Sequence, residues 1–170
     1  CAYAPLRLVG APSLDVAQMR RLWQLYTPNK ALGLTGIRAA YALAPLGADT
    51  APLLALCPSW PVGVHGVALL QAWCSPASQQ WLAQSLPTLQ VWKARQMDLL
   101  QSLGWVCLPS EANFFCARPA VDDVPQMLHT LRGHGIKLRD ATSFGLPGHV
   151  RLGVLPPAAQ DALAGAVSSF

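Results

Sequence analysis

The amino-acid sequence predicts an α/β fold, and three observations carry that prediction. Helical and strand-like segments alternate over residues 77–170, hydrophobic residues make up 52% of the 170-residue chain, and charged residues make up 12%. Helices and strands that alternate in this way pack as layers around a shared core. The charged share is about half of the usual value, which indicates that a partner subunit or a further segment of the same protein covers part of the surface.

In the first half of the chain, two apolar runs of strand length precede two helical segments. Residues 22–27 and 37–44 each predict a strand, and the glycines in 33–36 predict the turn between them. Residues 51–57 and 64–74 predict short helices on either side of a proline-rich break.

The second half predicts the order helix, strand, strand, helix, strand, strand, helix. Its longest helix covers 77–103, where Pro87 should kink or divide the helix and Gly104 should end it. The other elements are two paired strands, a helix, two short strands and a closing helix, at 105–110, 113–118, 121–135, 136–140, 149–154 and 156–170.

Charge and cysteine content narrow the classes of function. The net charge of +4 is mild and no run of Lys and Arg exceeds two residues, which argues against nucleic-acid binding. Residues 50–92 carry no charged side chain, yet prolines and glycines interrupt every stretch of about 20 apolar residues, so an interface is expected there and not a membrane span. The five cysteines form no CxxC pair and no zinc-spaced cluster, which predicts no metal site and a reduced, cytoplasmic setting.

The residues around Lys30 are unusual for a solvated lysine. Lys30 is surrounded by small and apolar residues in the run YTPNKALGLTGIRAAY, with Arg38 eight residues later. Burial among apolar groups lowers the pKa of a lysine amine and prepares it to attack an aldehyde. Arg38 and the hydroxyl of Thr27 would hold a phosphate, so the set suits pyridoxal phosphate. A lysine and an arginine at this spacing are more often two solvated surface residues, and the pattern alone does not overturn that interpretation.

Family resemblance adds to this pattern. The segment TPNKALGLTGIR resembles the lysine segment of fold-type I pyridoxal-phosphate enzymes, in particular the histidinol-phosphate aminotransferase branch, which includes the threonine-phosphate decarboxylases of cobalamin synthesis. Three further segments are similar to that branch and follow its order: AYAPLRL, PSEANFFCAR and LRDATSFGLPGHVRLGV. AYAPLRL would be the end of a strand and its loop. The resemblance implies that the chain is the C-terminal part of such an enzyme, comprising the end of the large-domain sheet and the α/β small domain.

The resemblance also implies roles for individual residues. The cofactor would be bound by four residues, of which the lysine is also catalytic: Tyr3, Thr27, Lys30 and Arg38. The substrate would be bound by Arg151, which would take a carboxylate or phosphate, and by Arg139 along the distal part of the pocket. Asn113 would hydrogen-bond near the substrate or simply close a strand end. An outward arginine such as Arg151 is otherwise commonplace on a half-buried strand.

Domain organisation and partners follow from the same resemblance. Residues 1–48 would complete the large cofactor-binding domain, 49–76 would form an interdomain segment, and 77–170 would form the small domain. The partners would be an amino substrate, a 2-oxo acid and a second copy of the chain in a homodimer. The chain departs from the family at Asn29, where relatives have serine, and the aspartate that faces the cofactor's ring nitrogen would fall before Cys1.

Three functions remain open at this stage. The leading one is an aminotransferase that uses glutamate and 2-oxoglutarate as a co-substrate pair. The second is a threonine-phosphate decarboxylase, which differs in the bond broken at the substrate's α-carbon. The third, from another class, is a non-catalytic fragment that binds partners.

Overall fold

A computed structural model describes residues 3–12 and 14–168. The chain forms two compact units, which we call the first unit (Cys1–Ser85) and the second unit (Leu86–Phe170). The boundary between the units falls inside the longest helix, whereas the sequence suggested that the small domain begins at residue 77. The division into 1–48, 49–76 and 77–170 concerns the domains of the whole enzyme and stays a prediction.

In the first unit, two short strands form an antiparallel pair. β1 (Gln24–Tyr26) and β2 (Tyr41–Leu43) lie within the two predicted strands but are only three residues long. Tyr26 lies opposite Tyr41, and their rings stack with centroids 5.3 Å apart. The pairing stops beyond Tyr26 because Pro28 has no amide hydrogen to donate and the chain then enters the glycine-containing turn.

Three described α-helices lie wholly within the first unit: α1 (Val16–Met19), α2 (Ala51–Ala55) and α3 (Val64–Trp73). The last two match the predicted helices, and α1 was not predicted. Of the segment AYAPLRL, Ala2 lies outside the described residues, and Ala4–Leu6 forms a 3₁₀ helix where the sequence predicted a strand end and its loop. Pro5 explains the difference, because its fixed φ suits the first turn of a helix.

The second unit follows the predicted order of elements. Its elements are the continuing part of α4 (Pro76–Ser102), then β3 (Val106–Cys107), β4 (Phe114–Arg118), α5 (Val124–Gly133), β5 (Arg139–Asp140), β6 (Val150–Gly153) and α6 (Pro157–Val167). The four strands form one antiparallel sheet in the order β3-β4-β6-β5. Pro87 does not divide α4; it is exposed, where water can hydrogen-bond the carbonyl that its ring leaves free.

One hydrophobic core holds the second unit together. It joins one face of the sheet to three helices through Leu100, Phe115, Met127, Leu128, Leu131, Val150, Leu152 and Leu163. Alternate residues of a strand point to opposite faces. Because Phe115 and Leu152 face the core, Phe114 and Arg151 lie on the other face of the sheet.

Within residues 3–12 and 14–168, every helix falls short of the length and apolar character that crossing a bilayer requires.

Candidate functional site

The turn that carries Lys30 is held by the side chain of Asn29. The Asn29 amide nitrogen donates to the carbonyl of Leu34 at 2.7 Å and also to that of Ile37, and its amide oxygen lies beside the hydroxyl of Thr27. Gly33, at a φ of +67°, makes the left-handed bend between these points. The side chain of Asn29 therefore closes the turn where the family has serine.

Lys30 and Arg38 line one cavity of the first unit, with a volume of about 520 Å³. Both side chains are exposed. The condition that Lys30 is buried among its apolar neighbours is not met in this structure: Ala31 is turned inward and is 5% exposed, while Lys30 lies on the open side of the turn. The eight-residue spacing nevertheless brings the amine and the guanidinium to the same cavity.

The chemistry of this cavity suits an anion. Its lining includes an ammonium, a guanidinium and the hydroxyls of Thr27 and Thr35, and no carboxylate lies among its described lining residues. Pro61 and Val62 supply an apolar edge. Two cations without a neighbouring acid favour a phosphate or carboxylate ligand, and a flat aromatic group gains from an apolar wall. These residues therefore fit a small aromatic phosphate that also bears an aldehyde.

Thr27 has a structural partner as well as a place in the cavity. Its hydroxyl donates to the carbonyl of Ala39 at 2.8 Å and lies beside the amide oxygen of Asn29. A hydroxyl has one hydrogen to give. To donate to a phosphate, Thr27 would have to release its bond to the backbone.

Tyr3 is half-buried at the start of the 3₁₀ helix, where its carbonyl accepts from the amide of Leu6 at 2.9 Å. The described lining of the Lys30 cavity does not include Tyr3. The structure thus brings three of the four predicted cofactor residues together, and the role of Tyr3 stays a prediction.

In the second unit, Arg151 lies on the sheet face that is turned away from the core. Its guanidinium carbon stands 3.9 Å from the centre of the Phe114 ring, a cation–π contact. Cys116 lies opposite Arg151 on β4, and Arg139 lies opposite it on β5. The side chain of Arg151 is therefore oriented by the ring of Phe114, on the strand beside it.

Arg139 is more exposed than Arg151 and has contacts of its own. Its guanidinium carbon lies 5.6 Å from the centre of the Phe144 ring, and it donates to the hydroxyl of Ser143 at 3.2 Å. Like charges opposite each other on neighbouring strands repel. A ligand with two negative charges would relieve that repulsion between Arg139 and Arg151.

Asp140, next to Arg139, is the last residue of β5. The side chain and backbone of Thr142 donate to its carboxylate, with the amide at 2.7 Å, and these hydrogen bonds lower the pKa of Asp140; Arg139 contributes in the same direction.

Asn113 lies at the entrance to β4, between the loop and the strand. Its carbonyl accepts from the amide of Val154 at 2.9 Å, which extends the pairing of β4 with β6 by one bond. Its side-chain oxygen is buried and accepts no hydrogen bond from the part of the chain that the structure describes. A buried acceptor without a donor is costly, so this oxygen is suited to accept from a ligand or from water.

The sequence-based reasoning missed a buried polar group on α4. Lys93 is 6% exposed and Gln96 is 2% exposed, and burial lowers the pKa of Lys93. Both residues fall on the helical stripe that runs through Leu86, Leu89 and Leu100 at spacings of three and four. That spacing was the available signal, because it places these polar side chains on the inward face of the helix.

Comparison with known proteins identifies relatives over most of the chain. Residues 7–167 match the model of the family "Aminotransferase class I and II". Histidinol-phosphate aminotransferase 2 of Pseudomonas fluorescens (strain Pf0-1) is 29% identical over 133 residues, which cover 78% of this chain and 35% of the relative. The chain therefore spans about a third of the length of that relative.

Solved structures with the same fold include two enzymes of different activity. L-threonine-O-3-phosphate decarboxylase from Porphyromonas gingivalis superposes with a TM-score of 0.75 at 20% identity, covering 100% of this chain and 53% of that one. Histidinol-phosphate aminotransferase from Sinorhizobium meliloti, solved in complex with pyridoxal-5'-phosphate, gives a TM-score of 0.71 at 24% identity, covering 86% of this chain and 40% of that one.

Proposed function

The chain belongs to the class I and II aminotransferase family, and from this premise we propose that it is part of a pyridoxal-phosphate-dependent aminotransferase. Within that enzyme, the first unit would supply the lysine and the phosphate-binding arginine. The second unit would supply the groups that bind the acidic part of the substrate. The single observation that carries the proposal is the cavity shared by Lys30 and Arg38, whose described lining contains no carboxylate.

Lys30 is the proposed catalytic residue. When bound, pyridoxal phosphate supplies an aldehyde and a conjugated ring that draws electrons from a substrate carbon. The Nζ atom of Lys30 would bind the cofactor through that aldehyde, and as a free amine it would accept and return the proton at the substrate's α-carbon. The exposure of Lys30 to the cavity supports this role, because the amine has to reach ligands that enter from solvent.

Arg38 would bind the cofactor's phosphate. A guanidinium can donate two parallel hydrogen bonds to a phosphate, and such charge-assisted bonds are stronger than neutral ones. Thr27 and Tyr3 would add hydroxyl contacts to the phosphate and the ring oxygen. The existing bond from Thr27 to the Ala39 carbonyl makes Thr27 the weaker of the two phosphate contacts.

In the second unit, Arg151 would bind a carboxylate of the amino substrate and of the 2-oxo acid that accepts the amino group. The stacking of its guanidinium on Phe114 supports this, because a side chain held in one orientation loses less entropy on binding. Arg139 would contact the distal end of the substrate, and the side-chain oxygen of Asn113 would accept from its amine. Glutamate and 2-oxoglutarate, each with two carboxylates, suit a pair of arginines.

The assembly and location remain parts of the proposal. We expect a homodimer, as in the family, and the exposed apolar side chains of the uncharged stretch, including Leu54, Leu56 and Trp60, are consistent with a covered surface. We expect the enzyme in the cytoplasm, in keeping with its uncrosslinked cysteines at Cys57, Cys74, Cys107 and Cys116.

Borohydride trapping tests the cofactor site directly. The intact protein would be incubated with pyridoxal phosphate, reduced and digested, and the modified peptide would be located by mass. We expect the adduct on Lys30, because its amine shares one cavity with the Arg38 guanidinium and the hydroxyls of Thr27 and Thr35. Lys137 is exposed and serves as the internal control for non-specific reaction, and a Lys30→Ala variant should carry no adduct at this position and show no turnover.

Two results would contradict the proposal. Equal labelling of Lys30 and Lys137 would mean that the cavity does not select the cofactor, and it would favour a non-catalytic, partner-binding role. Full activity of the Lys30→Ala variant would exclude the lysine from the reaction.

A phosphorylated amino acid is the second candidate substrate, with decarboxylation as its reaction. The opposed Arg139 and Arg151 suit it as well as they suit a dicarboxylate, because such a substrate carries both a carboxylate and a phosphate. The Porphyromonas gingivalis decarboxylase has the same fold, but at 20% identity it supports only the fold. Product analysis separates the two reactions, since release of carbon dioxide without a 2-oxo product would establish the decarboxylase.

A further inference from the structure

A buried lysine holds the loop that leads into the proposed substrate site. Lys93 lies on the inward face of α4, one turn before Gln96, and is 6% exposed. Lysine is almost never buried to this extent without specific partners, because removing an ammonium from water is costly. The partners of Lys93 should therefore indicate what its burial achieves.

Those partners are two backbone carbonyls of the loop between β3 and β4. The Lys93 ammonium donates to the carbonyl of Ser110 at 2.5 Å and to that of Ala112 at 2.8 Å. The same loop is closed from within, because the Ser110 hydroxyl donates to the carbonyl of Phe114 and accepts from the amide of Ala112 at 3.3 Å. One cation thus holds both sides of a tight turn against α4.

The turn ends at two residues of the proposed substrate site. Asn113 follows Ala112 directly, with its side-chain oxygen buried and its carbonyl bonded to the amide of Val154. Phe114 comes next, and its ring lies 3.9 Å from the guanidinium carbon of Arg151. Movement of the Ser110–Ala112 turn would displace the Asn113 amide and the ring that orients Arg151.

We propose that Lys93 is a positioning residue for substrate binding: its ammonium fixes the Ser110–Ala112 turn and thereby sets the positions of Asn113 and of the Phe114 ring beside Arg151. Its influence on the substrate passes entirely through this turn, because the Lys93 ammonium itself is engaged with the two carbonyls. This inference rests on the proposed function, since it treats Asn113 and Arg151 as substrate-binding residues.

The test compares two variants of the intact protein. Lys93→Met keeps the length of the side chain and removes the ammonium. Leu131→Ala removes a fully buried core side chain from α5 and serves as the control for lost stability. We expect Lys93→Met to raise the KM for the amino substrate by about ten- to a hundredfold, because small displacements of binding groups have effects of this size. Its kcat should change little, and the borohydride adduct on Lys30 should be unchanged.

Hydrogen exchange provides a second readout that does not depend on activity. Under native conditions, the exchange rate of the amides at 110–114 should rise above that of the wild type. This increase should be larger in Lys93→Met than in Leu131→Ala. An unchanged exchange rate at 110–114, or an equal rise in KM in both variants, would overturn the proposal. If the wild type turned over no substrate, the proposed function would fail, while the exchange comparison would still decide whether Lys93 fixes the turn.

Discussion

Gly66 lies where α3 passes closest to the backbone of Arg38, and the structure predicts the cost of adding a single carbon there. A Cβ atom at position 66 would stand 2.6 Å from a methyl carbon of Val62 and 2.9 Å from the Arg38 carbonyl oxygen. Ordinary contacts between non-bonded heavy atoms are about 3.5–4.0 Å. The Val62 methyl would have to move by roughly 1 Å and the Arg38 carbonyl by roughly half of that.

The expected stability change combines two opposing effects. Overpacking costs about 1–3 kcal/mol, while alanine in a helix is favoured over glycine by about 0.5–1 kcal/mol. We therefore expect Gly66→Ala to lower the free energy of unfolding of the first unit by about 1–2 kcal/mol. In a unit of this size, that corresponds to a fall in Tm of roughly 5–10 °C.

The same substitution should weaken cofactor binding, because it displaces the backbone that carries the phosphate-binding guanidinium. We expect the Kd for pyridoxal phosphate, measured by absorbance titration, to rise about tenfold, equivalent to ~1.4 kcal/mol. Gly36→Ala is the matched control: Gly36 lies two residues before Arg38, and a Cβ there would meet nothing within 4 Å. Equal Kd values for Gly66→Ala and the wild type would refute the reasoning, as would an equal loss in Gly36→Ala.

Three further predictions concern the second unit and the cysteines. Asp123→Ala removes the α5 cap that accepts from the amide of Gln126 at 2.8 Å, and urea unfolding should show a loss of about 1 kcal/mol. Burial lowers the pKa of Lys93, so the unfolded state binds the proton of this amine more tightly than the folded state does. The free energy of unfolding should therefore rise with pH between the folded-state pKa and the ordinary value of 10.5. Parallel pH profiles of this free energy for the wild type and Lys93→Met would contradict the prediction. Cys57 is exposed, whereas burial raises the pKa of Cys107. Iodoacetamide at pH 8 should therefore modify Cys57 before Cys107, as measured by the masses of the two peptides, and the reverse order would contradict this prediction.

Local patterns in the sequence predicted the elements of the second unit well. Apolar residues every three or four positions mark α4. Asp123 caps the start of α5, and Gly135 follows its end at a φ of +75°. Such signals depend on neighbours within about one helical turn, so they can be read without knowing the fold. The sequence did not predict the 3₁₀ helix at Ala4–Leu6, because a single turn of three residues is too short to show a helical repeat of apolar residues.

The candidate site was predictable only in part. The spacing of Lys30 and Arg38 indicated one anion-binding place, and the structure brings both to one cavity. The sequence left open whether Lys30 is buried, and the structure turns Ala31 inward and leaves Lys30 exposed. Which side of an irregular turn faces solvent depends on the bonds that close it, here those of Asn29, and composition does not reveal them.

By itself, the sequence determined the α/β order of elements, the lysine and arginine of the candidate cofactor site, and the family resemblance. Only the tertiary structure revealed that Lys93 holds the loop at Ser110 and Ala112, that Phe114 orients Arg151, and that Gly66 leaves room for the Arg38 backbone. Periodicity and capping are local and are encoded in adjacent residues. Contacts between residues far apart in the chain depend on which faces of the helices and strands pack together. A side chain can contact many different partners until that packing is formed, so the sequence alone does not reveal the contact.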